Sequence, residues 1–454
     1  MPHKLTRREF IESTMATTAL AASGVVHAAP AQRPNVLFVL ADDLGYADLS
    51  CYGRPDYRTP VLDRLARQGL KFTSSYAAAP VCTPTRCAYI TGRYPQRIPV
   101  GLEEPLKASS PSNIGLPPEH PTIASLLKAN GYDTSLVGKW HLGWKPEFGP
   151  NRHGFDEFFG VLSGAVDYFT HKAADMSGGN AAEGGGRDLW QNLAPIERVG
   201  YLTDLLSDKA VEVISRPHSK PFFLSLQYTA PHSPWEGPED QALGHSGHGR
   251  GPMIEGGSPK IYGAMMKSMD AGIGRVLKAL ERAKIDRDTL VIFTSDNGGE
   301  RYSSNRPFSG QKMSLNEGGT RVPAIVRWPG MIPAGRVTDQ PAITMDWTAT
   351  ILGATATPAD PAFPLDGDNL MPVCTGQRAP YERALFWRIR GFDAARVGSW
   401  KYLKDQAGEH LFDVMNDPGE KADVRTMHAD RFEVIRRQYQ AWAAQMLPLA
   451  GASS

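Results

Sequence analysis

Cysteine, long apolar runs and an excess of one charge sign are scarce or missing in this 454-residue sequence, and each absence excludes a class of protein. Four cysteines are too few for a disulfide-stapled domain. No stretch of about 18 or more strongly apolar residues occurs, which excludes an integral membrane bundle. The 49 Lys and Arg residues balance 48 Asp and Glu residues, so we expect no nucleic-acid partner drawn by a basic field. The 41% hydrophobic content is that of an ordinary globular protein.

Residues 1–29 have the pattern of a twin-arginine export signal. The pair Arg7-Arg8 precedes a segment from Ser13 to Val26 without any ionisable side chain, and Ala28 and Ala29 offer a small-residue cleavage site. A frayed amphipathic helix would explain the alanines but not the arginine pair. Without a cysteine at the cleavage site, no lipid or other membrane anchor is expected. The pattern predicts a periplasmic or extracellular protein that the Tat translocase exports already folded.

Strand-length apolar runs alternate with helical patterns through residues 30–354. The runs show no polar alternation, which is typical of parallel strands buried on both faces. The sequence therefore predicts an α/β domain with a large, mostly parallel sheet flanked by helices. The predicted strands are Val36–Ala41, Pro221–Leu226 and Thr289–Thr294, and the predicted helices are Pro60–Gly69, Thr122–Asn130, Tyr201–Arg216 and Tyr262–Ala283.

Residues 355–454 have a different texture, which predicts a second, smaller domain. Three short strands, Glu382–Ile389, Ala394–Leu403 and His410–Asp413, precede a helical pattern over Arg431–Met446. We interpret this as a C-terminal α+β unit with a small antiparallel sheet and one helix. Two irregular stretches interrupt the first domain, residues 173–188 and 231–259, and structureless loops of this length are usually functional or mobile.

Acidic residues follow two of the predicted parallel strands. Asp42 and Asp43 close the first run, and Asp296 and Asn297 close the last one. Because ligand sites in open α/β sheets lie beyond the carboxyl ends of the strands, these oxygens should meet at one edge. Such a set suits a hard cation, Ca²⁺ or Mg²⁺, and not zinc. Turn chemistry explains either motif alone equally well, but the two together favour a metal site.

The segment from Val81 to Arg93 carries an unusual cysteine. Pro84 fits the first turn of a helix, which would place Cys82 at the helix N-terminus and Arg86 one turn further on. Taken alone, Cys82 could be an activated thiol nucleophile or a buried cysteine. A disulfide with Cys87 is not expected, because five helical residues rise about 7.5 Å.

This segment resembles the signature of the type I sulfatases, members of the alkaline-phosphatase-like superfamily. The resemblance rests on Cys82-x-Pro84-x-Arg86 followed by Thr91-Gly92-Arg93, with Ile90 where the family usually has Leu. Other family motifs follow in order along nearly the whole mature chain. They are Gly138–Gly143, His232-Ser233-Pro234, Asp296-Asn297-Gly298, Gly310-Gln311-Lys312 and Glu317–Pro323.

The resemblance implies that Cys82 is converted to Cα-formylglycine by a formylglycine-generating enzyme before export. The hydrate of this aldehyde has two hydroxyls: one attacks sulfur, and the other expels sulfate by regenerating the aldehyde. The cation, Ca²⁺ with Mg²⁺ as the other possibility, would be held by the modified Cys82 together with Asp42, Asp43, Asp296 and Asn297.

The resemblance also assigns roles to the basic residues. Arg86 would fix the hydrate with Lys139 nearby, and His141 would take the proton of the second hydroxyl. Lys139, His232 and Lys312 would bind sulfate oxygens, and His232 or Lys312 would protonate the leaving alcohol. If Lys139 and His141 shared a strand, they would share one face. The set of expected substrate contacts is Asp167, Tyr168 and His171.

The leading hypothesis is therefore hydrolysis of a sulfate monoester by cleavage of its S–O bond. The substrate would be a sulfated carbohydrate, with aryl sulfates also accepted, because Gly164–Tyr168 and Leu411–Glu420 resemble arylsulfatases and N-acetylgalactosamine-sulfate sulfatases more than choline sulfatases. One alternative is a phosphonate or phosphate ester hydrolase of the same superfamily. Another is a periplasmic glycan-binding protein derived from an inactive sulfatase, which the intact set of nucleophile, metal and acid–base positions argues against.

Overall fold

The computed structural model describes residues 33–107, 109–173, 186–240 and 257–449. The predicted export signal at residues 1–29 lies outside this part of the chain, as do the central portions of the two irregular stretches. None of the helices within these ranges is long and apolar enough to cross a membrane.

A ten-stranded sheet forms the centre of the fold. Its strands are β1 (Asn35–Ala41), β2 (Leu70–Phe72), β4 (Asp133–Lys139), β5 (Glu157–Val161), β6 (Trp190–Gln191), β7 (Ala194–Pro195), β8 (Phe222–Gln227), β9 (Thr289–Ser295), β10 (Ala324–Arg327) and β11 (Arg336–Thr338), and β3 (Ser75–Tyr76) pairs separately with β12 (Ala342–Ile343). The strand order is β11-β2-β10-β9-β1-β8-β4-β5-β6-β7. The five central strands, from β9 to β5, run parallel, whereas β10 and the β6–β7 hairpin are antiparallel to their neighbours.

Helices cover both faces of this sheet, which explains the unbroken apolar runs. In β1, Leu37 and Val39 point to one core, while Val36 and Phe38 point to the other, and all four are buried. The helices are α1 (Pro60–Gln68), α2 (Cys82–Thr91), α3 (Ile123–Ala129), α4 (Leu202–Ser215), α5 (Pro259–Arg282), α6 (Glu317–Thr320), α7 (Thr344–Ala354), α8 (Met371–Thr375) and α9 (Ala429–Ala443). The predicted α/β class with a large, mostly parallel sheet is confirmed.

Helix α5 begins three residues earlier than predicted. The side chain of Ser258 accepts a hydrogen bond from the Ile261 backbone N–H, and Pro259 occupies the first helical position. A serine cap followed by proline is a strong start signal, because the cap satisfies a free N–H and proline has none to satisfy.

The C-terminal sheet contains four antiparallel strands, β13 (Ala384–Ile389), β14 (Phe392–Val397), β15 (Trp400–Asp405) and β16 (Gly408–Asp413). The prediction of one strand over Ala394–Leu403 is wrong, since this stretch forms a hairpin in which Val397 pairs with Trp400. Gly398, with φ of 58°, makes the two-residue turn, and a Gly at the first turn position is typical of such hairpins. Helix α9 packs against this sheet through Phe432 and Trp442.

One apolar cluster contains side chains from both the α/β core and the C-terminal sheet. Val81, next to Cys82, and Ile343 belong to the same buried cluster as Leu385 and Trp387 of β13. The predicted boundary between residues 354 and 355 falls at the end of α7 and stays a prediction.

Candidate active site

The carboxyl ends of four neighbouring strands bring the predicted polar residues to one edge of the sheet. Strands β9, β1, β8 and β4 are adjacent in that order. Asp42 follows β1, Asp296 follows β9, and Lys139 is the last residue of β4. His232 lies five residues beyond the end of β8 and is 5% exposed. Because these strands are neighbours, their side chains meet at one edge of the sheet, as predicted.

Cys82 is the first residue of α2, as predicted from Pro84. The helix ends at Gly92, whose φ of 69° is the left-handed conformation that glycine adopts after a helix. Every side chain from Cys82 to Thr91 is buried. All four cysteines lie in the described part of the chain and are free, so Cys82 and Cys87 form no disulfide. Burial raises the pKa of the Cys82 thiol, although Lys139 and Lys312 act in the opposite direction.

Arg86, one turn into α2, joins the strand ends to the helix. Its Nε and Nη2 donate to Asp296 Oδ2 at 3.2 and 2.9 Å. Its Nη1 donates to the Lys139 carbonyl at 3.0 Å and to Gln227 Oε1 at 2.8 Å. The side chain is fully buried, so these bonds satisfy a charge that has no access to water. Arg86 is thus fixed in place by residues at the carboxyl ends of three different strands.

Each of the two aspartates after β1 is paired with a lysine. Lys139 Nζ donates to Asp42 Oδ2 at 2.6 Å, and Lys312 Nζ donates to Asp43 Oδ2 at 2.6 Å. Asp43 has φ of 62°, a conformation that is costly for a residue with a side chain and concentrates at functional sites. With Arg86 and Asp296 added, the buried site contains three carboxylate side chains and three positively charged side chains.

His232 lies between Lys312 and the carboxylates. Its Nδ1 is 2.5 Å from the Ser233 carbonyl oxygen, so Nδ1 carries the proton of the neutral ring. Its Nε2 is 3.1 Å from Lys312 Nζ and 3.5 Å from Asp43 Oδ2. Burial, reinforced by Lys312, lowers the pKa of His232 to about 4. Nε2 is therefore an acceptor at neutral pH.

Two buried oxygens at this edge have no hydrogen-bond partner among the described residues, Asp42 Oδ1 and Asn297 Oδ1. Asn297 donates through Nδ2 to Asp43 Oδ1 at 2.7 Å, which leaves its carbonyl oxygen as the available atom. Ligand atoms of Asp42, Asp43 and His232 lie within 4.8 Å of one another. Orphaned buried oxygens are costly unless something satisfies them, and a hard cation suits this donor set.

Asp296 resembles Asp43 and differs from Asp42 and Asn297, because both of its oxygens already accept hydrogen bonds. Oδ1 accepts from the Asp43 backbone N–H at 3.1 Å, and Oδ2 accepts from Arg86. Burial and the neighbouring charge of Asp42 raise the pKa of Asp296 to about 7. A bound cation would favour its ionised form.

His141 offers a free basic nitrogen to the site. Its Nε2 donates to the Leu106 carbonyl at 2.8 Å, which leaves Nδ1 as the proton-free nitrogen. Nδ1 is buried and has no partner within the described chain. Burial and Lys139 hold the pKa of His141 well below its ordinary value. The expectation of a shared strand face with Lys139 is wrong, since β4 ends at Lys139 and His141 follows in a left-handed conformation with φ of 57°.

The three expected substrate contacts are buried and have internal partners. Tyr168 donates its hydroxyl to the carbonyls of Thr229 and His232, at 2.8 and 3.0 Å. Asp167 Oδ1 accepts from two backbone N–H groups of its own turn. His171 Nε2 is 3.1 Å from the Gly200 carbonyl. Tyr168 therefore supports the backbone around His232, and Asp167 and His171 stabilise their own loop, while the role of all three in binding substrate stays a prediction.

Two polar residues at this edge were not predicted. Gln227 binds Arg86, and Glu300 Oε1 is 3.8 Å from Lys312 Nζ. Gln227 ends β8, one residue past the predicted run, so a strand-end rule applied to that run would have found it. Glu300 follows the Asp296–Gly298 motif closely, but nothing in its own pattern distinguishes it from a solvated glutamate.

Comparison with known proteins gives one consistent result. The family model described as Sulfatase matches residues 34–357. Mouse steryl-sulfatase is 37% identical over 96% of this chain and 86% of its own length, and dog N-acetylgalactosamine-6-sulfatase is 36% identical over 84% of this chain and 74% of its own. The crystal structure of Ps i-CgsB in complex with k-i-k-neocarrahexaose is 32% identical with a TM-score of 0.80, covering 92% of this chain and 94% of that one.

The large, mostly parallel sheet flanked by helices is the fold of the alkaline-phosphatase-like sulfatases. The chain belongs to the sulfatase family, and it is a sulfuric ester hydrolase. Members of this family generally depend on formylglycine and on a divalent metal.

Proposed function

We propose that this chain hydrolyses sulfate monoesters with residue 82 as formylglycine and one divalent cation beside it. One observation supports this proposal above the others. Cys82, at the start of α2, lies at the same edge of the sheet as the partnerless oxygens of Asp42 and Asn297. Asp42, Asp43, Asp296 and Asn297 would hold the cation together with the modified residue 82. An all-oxygen set favours Ca²⁺, with Mg²⁺ as the other possibility.

The environment of Cys82 argues against a thiolate nucleophile. Reactive cysteines have a lowered pKa, whereas burial raises that of Cys82. Conversion to formylglycine removes the thiol and replaces it with hydrated aldehyde hydroxyls. We propose that a formylglycine-generating enzyme acts before export, and that the Tat translocase delivers the folded protein to the periplasm or beyond through the signal at residues 1–29.

The bound cation would supply positive charge that lowers the pKa of the attacking hydroxyl and screens the sulfate oxygens. Lys139, His232 and Lys312 surround the same space and would bind the sulfate group. Arg86, held by Asp296, Gln227 and the Lys139 carbonyl, would orient residue 82. These contacts position the reacting atoms before any bond breaks.

In the first step, a hydroxyl of residue 82 releases its proton to solvent, and its oxygen bonds to sulfur as the bond between sulfur and the alcohol oxygen breaks. The leaving oxygen takes a proton from Lys312. His232 has no proton to give from Nε2 at neutral pH, because its pKa is about 4. Burial alone would lower the pKa of Lys312. The attraction of Asp43 and the other nearby anions outweighs burial and raises this pKa above its ordinary value, so Lys312 is protonated. His232 Nε2 then accepts from Lys312 and directs it.

In the second step, His141 Nδ1 takes the proton of the remaining hydroxyl, and sulfate leaves with the electrons of its bond to carbon. The free lone pair at Nδ1 and the low pKa of His141 make the neutral base available. Water re-forms the hydrate, His141 releases its proton to solvent, and Lys312 takes one up again. The net reaction consumes one sulfate monoester and one water, and releases an alcohol, sulfate and a proton.

We propose a sulfated carbohydrate as the natural substrate, with aryl sulfates also cleaved. Support comes from relatives whose names refer to N-acetylgalactosamine-6-sulfate chemistry and from the 32% identical structure with bound k-i-k-neocarrahexaose.

The test is an activity comparison on protein co-produced with a formylglycine-generating enzyme. We expect release of 4-nitrophenol from 4-nitrophenyl sulfate, with much weaker turnover of 4-nitrophenyl phosphate, and sulfate release from a panel of sulfated oligosaccharides. Cys82→Ala should abolish turnover. Cys87→Ala removes a buried thiol from the same helix and should leave it largely intact. Preference for the phosphate ester, or turnover by Cys82→Ala, would contradict the proposal.

A further inference from the structure

The loop that carries Lys312 is closed by one glutamate from the C-terminal region. Glu420, in the turn after β16, accepts through Oε2 from the Ser309 hydroxyl at 2.6 Å and from the Glu317 backbone N–H at 2.8 Å. Ser309 and Glu317 are the two ends of the loop, residues 309–317. A single carboxylate oxygen therefore ties both ends together across more than 100 positions of sequence.

Lys401 of β15 completes a buried charge cluster with these two glutamates. Its Nζ is 2.9 Å from Glu317 Oε1 and 3.1 Å from Glu420 Oε1, and all three side chains are nearly inaccessible to solvent. The other oxygen of Glu317 accepts from the Tyr76 hydroxyl at 2.6 Å and from Arg321 at 3.0 Å. Desolvation offsets much of the attraction within a buried ion pair, so such a cluster is weak evidence for net stability, but removing one partner leaves an uncompensated buried charge.

The loop is too tightly folded to absorb a shift of its ends. A Cβ on Gly318 would lie 2.4 Å from the Gly310 carbonyl oxygen, and one on Gly319 would lie 1.9 Å from that of Ser314. The Lys312 backbone N–H donates to the Gly299 carbonyl at 3.2 Å. Movement at Ser309 or Glu317 is therefore passed on to Lys312.

We propose that Glu420 and Lys401 are positioning residues that hold Lys312 Nζ where it protonates the leaving alcohol. This inference rests on the proposed function of Lys312. It makes the C-terminal sheet part of the catalytic apparatus, although none of its residues in the cluster touches substrate. It also predicts which substrates depend on the cluster.

The nature of the leaving group separates positioning from general stability. 4-Nitrophenolate departs without a proton, so 4-nitrophenyl sulfate needs the acid little. Phenolate and the alkoxides of sugar hydroxyls are more basic leaving groups and need the proton in the transition state. The kcat/KM value reports the step in which the S–O bond breaks, and the ratio of kcat/KM values for the two aryl esters is insensitive to the fraction of folded enzyme.

The experiment compares phenyl sulfate with 4-nitrophenyl sulfate for the wild type, Lys312→Ala, Glu420→Ala and Glu420→Gln. We expect Lys312→Ala to lower kcat/KM for phenyl sulfate by on the order of 10²-fold or more, with a far smaller loss for the nitro ester. Glu420→Ala should also lower kcat/KM selectively for phenyl sulfate, by about 10-fold. The loss should be smaller than in Lys312→Ala because the acid is still present and only its position changes. Glu420→Gln keeps an accepting oxygen and should retain most of the wild-type kcat/KM for phenyl sulfate.

Tyr402→Phe is the matched control, since Tyr402 neighbours Lys401 on β15 but donates to Glu409, away from the loop. Tyr402→Phe should leave the ratio of kcat/KM values for the two aryl esters unchanged. Should Glu420→Ala fail to fold, Ser309→Ala and Glu420→Gln carry the test, with a graded selective loss expected. Equal losses for both esters in the Glu420 or Ser309 variants would overturn the inference while leaving the proposed function intact. Equal losses in Lys312→Ala would overturn the role of Lys312 itself, and a wild type inactive on both esters would refute the proposed function.

Discussion

Gly164 sets the position of the base His141, and its replacement by alanine is a sharp test of that base. A Cβ at residue 164 would lie 2.6 Å from both Cε1 and Nε2 of His141. Carbon contacts are comfortable at about 3.5 Å, so the ring must shift by about 1 Å. The ring cannot shift without losing its bond to the Leu106 carbonyl. A displacement of that size at a reacting group costs about 10²-fold in rate.

The loss should appear in sulfate release and not in S–O cleavage, because His141 acts only in the second step. We expect Gly164→Ala to lower kcat on 4-nitrophenyl sulfate by about 10²-fold with little change in kcat/KM. Stopped-flow traces should show a burst of about one 4-nitrophenol per active site before slow turnover.

Gly149→Ala is the control, since its Cβ would lie 3.4 Å from the nearest atom, the Pro146 carbonyl oxygen. An unchanged kcat, or parallel losses in kcat and kcat/KM without a burst, would refute this role of His141.

Three further outcomes follow from the same geometry. Chelation with EDTA should abolish most turnover, and Ca²⁺ should restore it better than Mg²⁺ in the assay; full activity after dialysis against chelator would contradict the cation site. Although burial raises it, Lys401 and Arg321 lower the pKa of Glu317 to about 2, below the ordinary 4.5. Ionised Glu317 therefore contributes about 3 kcal/mol to the free energy of unfolding, fully present above pH 4.5 and lost as the pH falls towards 2. In urea unfolding, Glu317→Gln should be less stable than the wild type at neutral pH, and its stability should fall less in acid. An acid dependence equal to that of the wild type would refute this. Arg86→Ala leaves buried carboxylates without their partner and should lower the free energy of unfolding by about 3–5 kcal/mol, whereas Arg216→Ala, at an exposed pair, should lower it by less than about 1 kcal/mol; equal losses in the two variants would contradict this account of Arg86.

Elements whose pattern is local could be predicted from the sequence. The unbroken apolar runs predicted β1, β8 and β9 to within one residue, because parallel strands covered on both faces leave no room for polar side chains. The strand-end rule then placed Asp42, Asp43 and Asp296 at one edge. Pro84 predicted the start of α2 at Cys82, since proline is tolerated only in the first turn.

Other features depend on contacts between distant residues, which no local pattern encodes. The contact of Gly164 with the His141 ring and the ties from Glu420 to Ser309 and Glu317 are of this kind. The local turn at Gly398 was a missed signal, because a Gly-Ser pair between strands predicts a hairpin. The expected substrate contacts, such as Tyr168, were proposed from loop position, whereas the buried hydroxyl of Tyr168 binds backbone carbonyls.

Peptide mass spectrometry across residue 82 of the active, purified protein shows whether this residue is formylglycine. We expect the peptide to be about 18 Da lighter than the unmodified one, because one oxygen replaces sulfur and two hydrogens. We also expect it to carry an aldehyde that a hydrazide reagent captures, in a fraction that scales with specific activity across preparations. The Cys87-containing part of the same peptide should remain a thiol and serves as the internal control. Full sulfatase activity from protein in which residue 82 is still an unmodified cysteine would contradict the account.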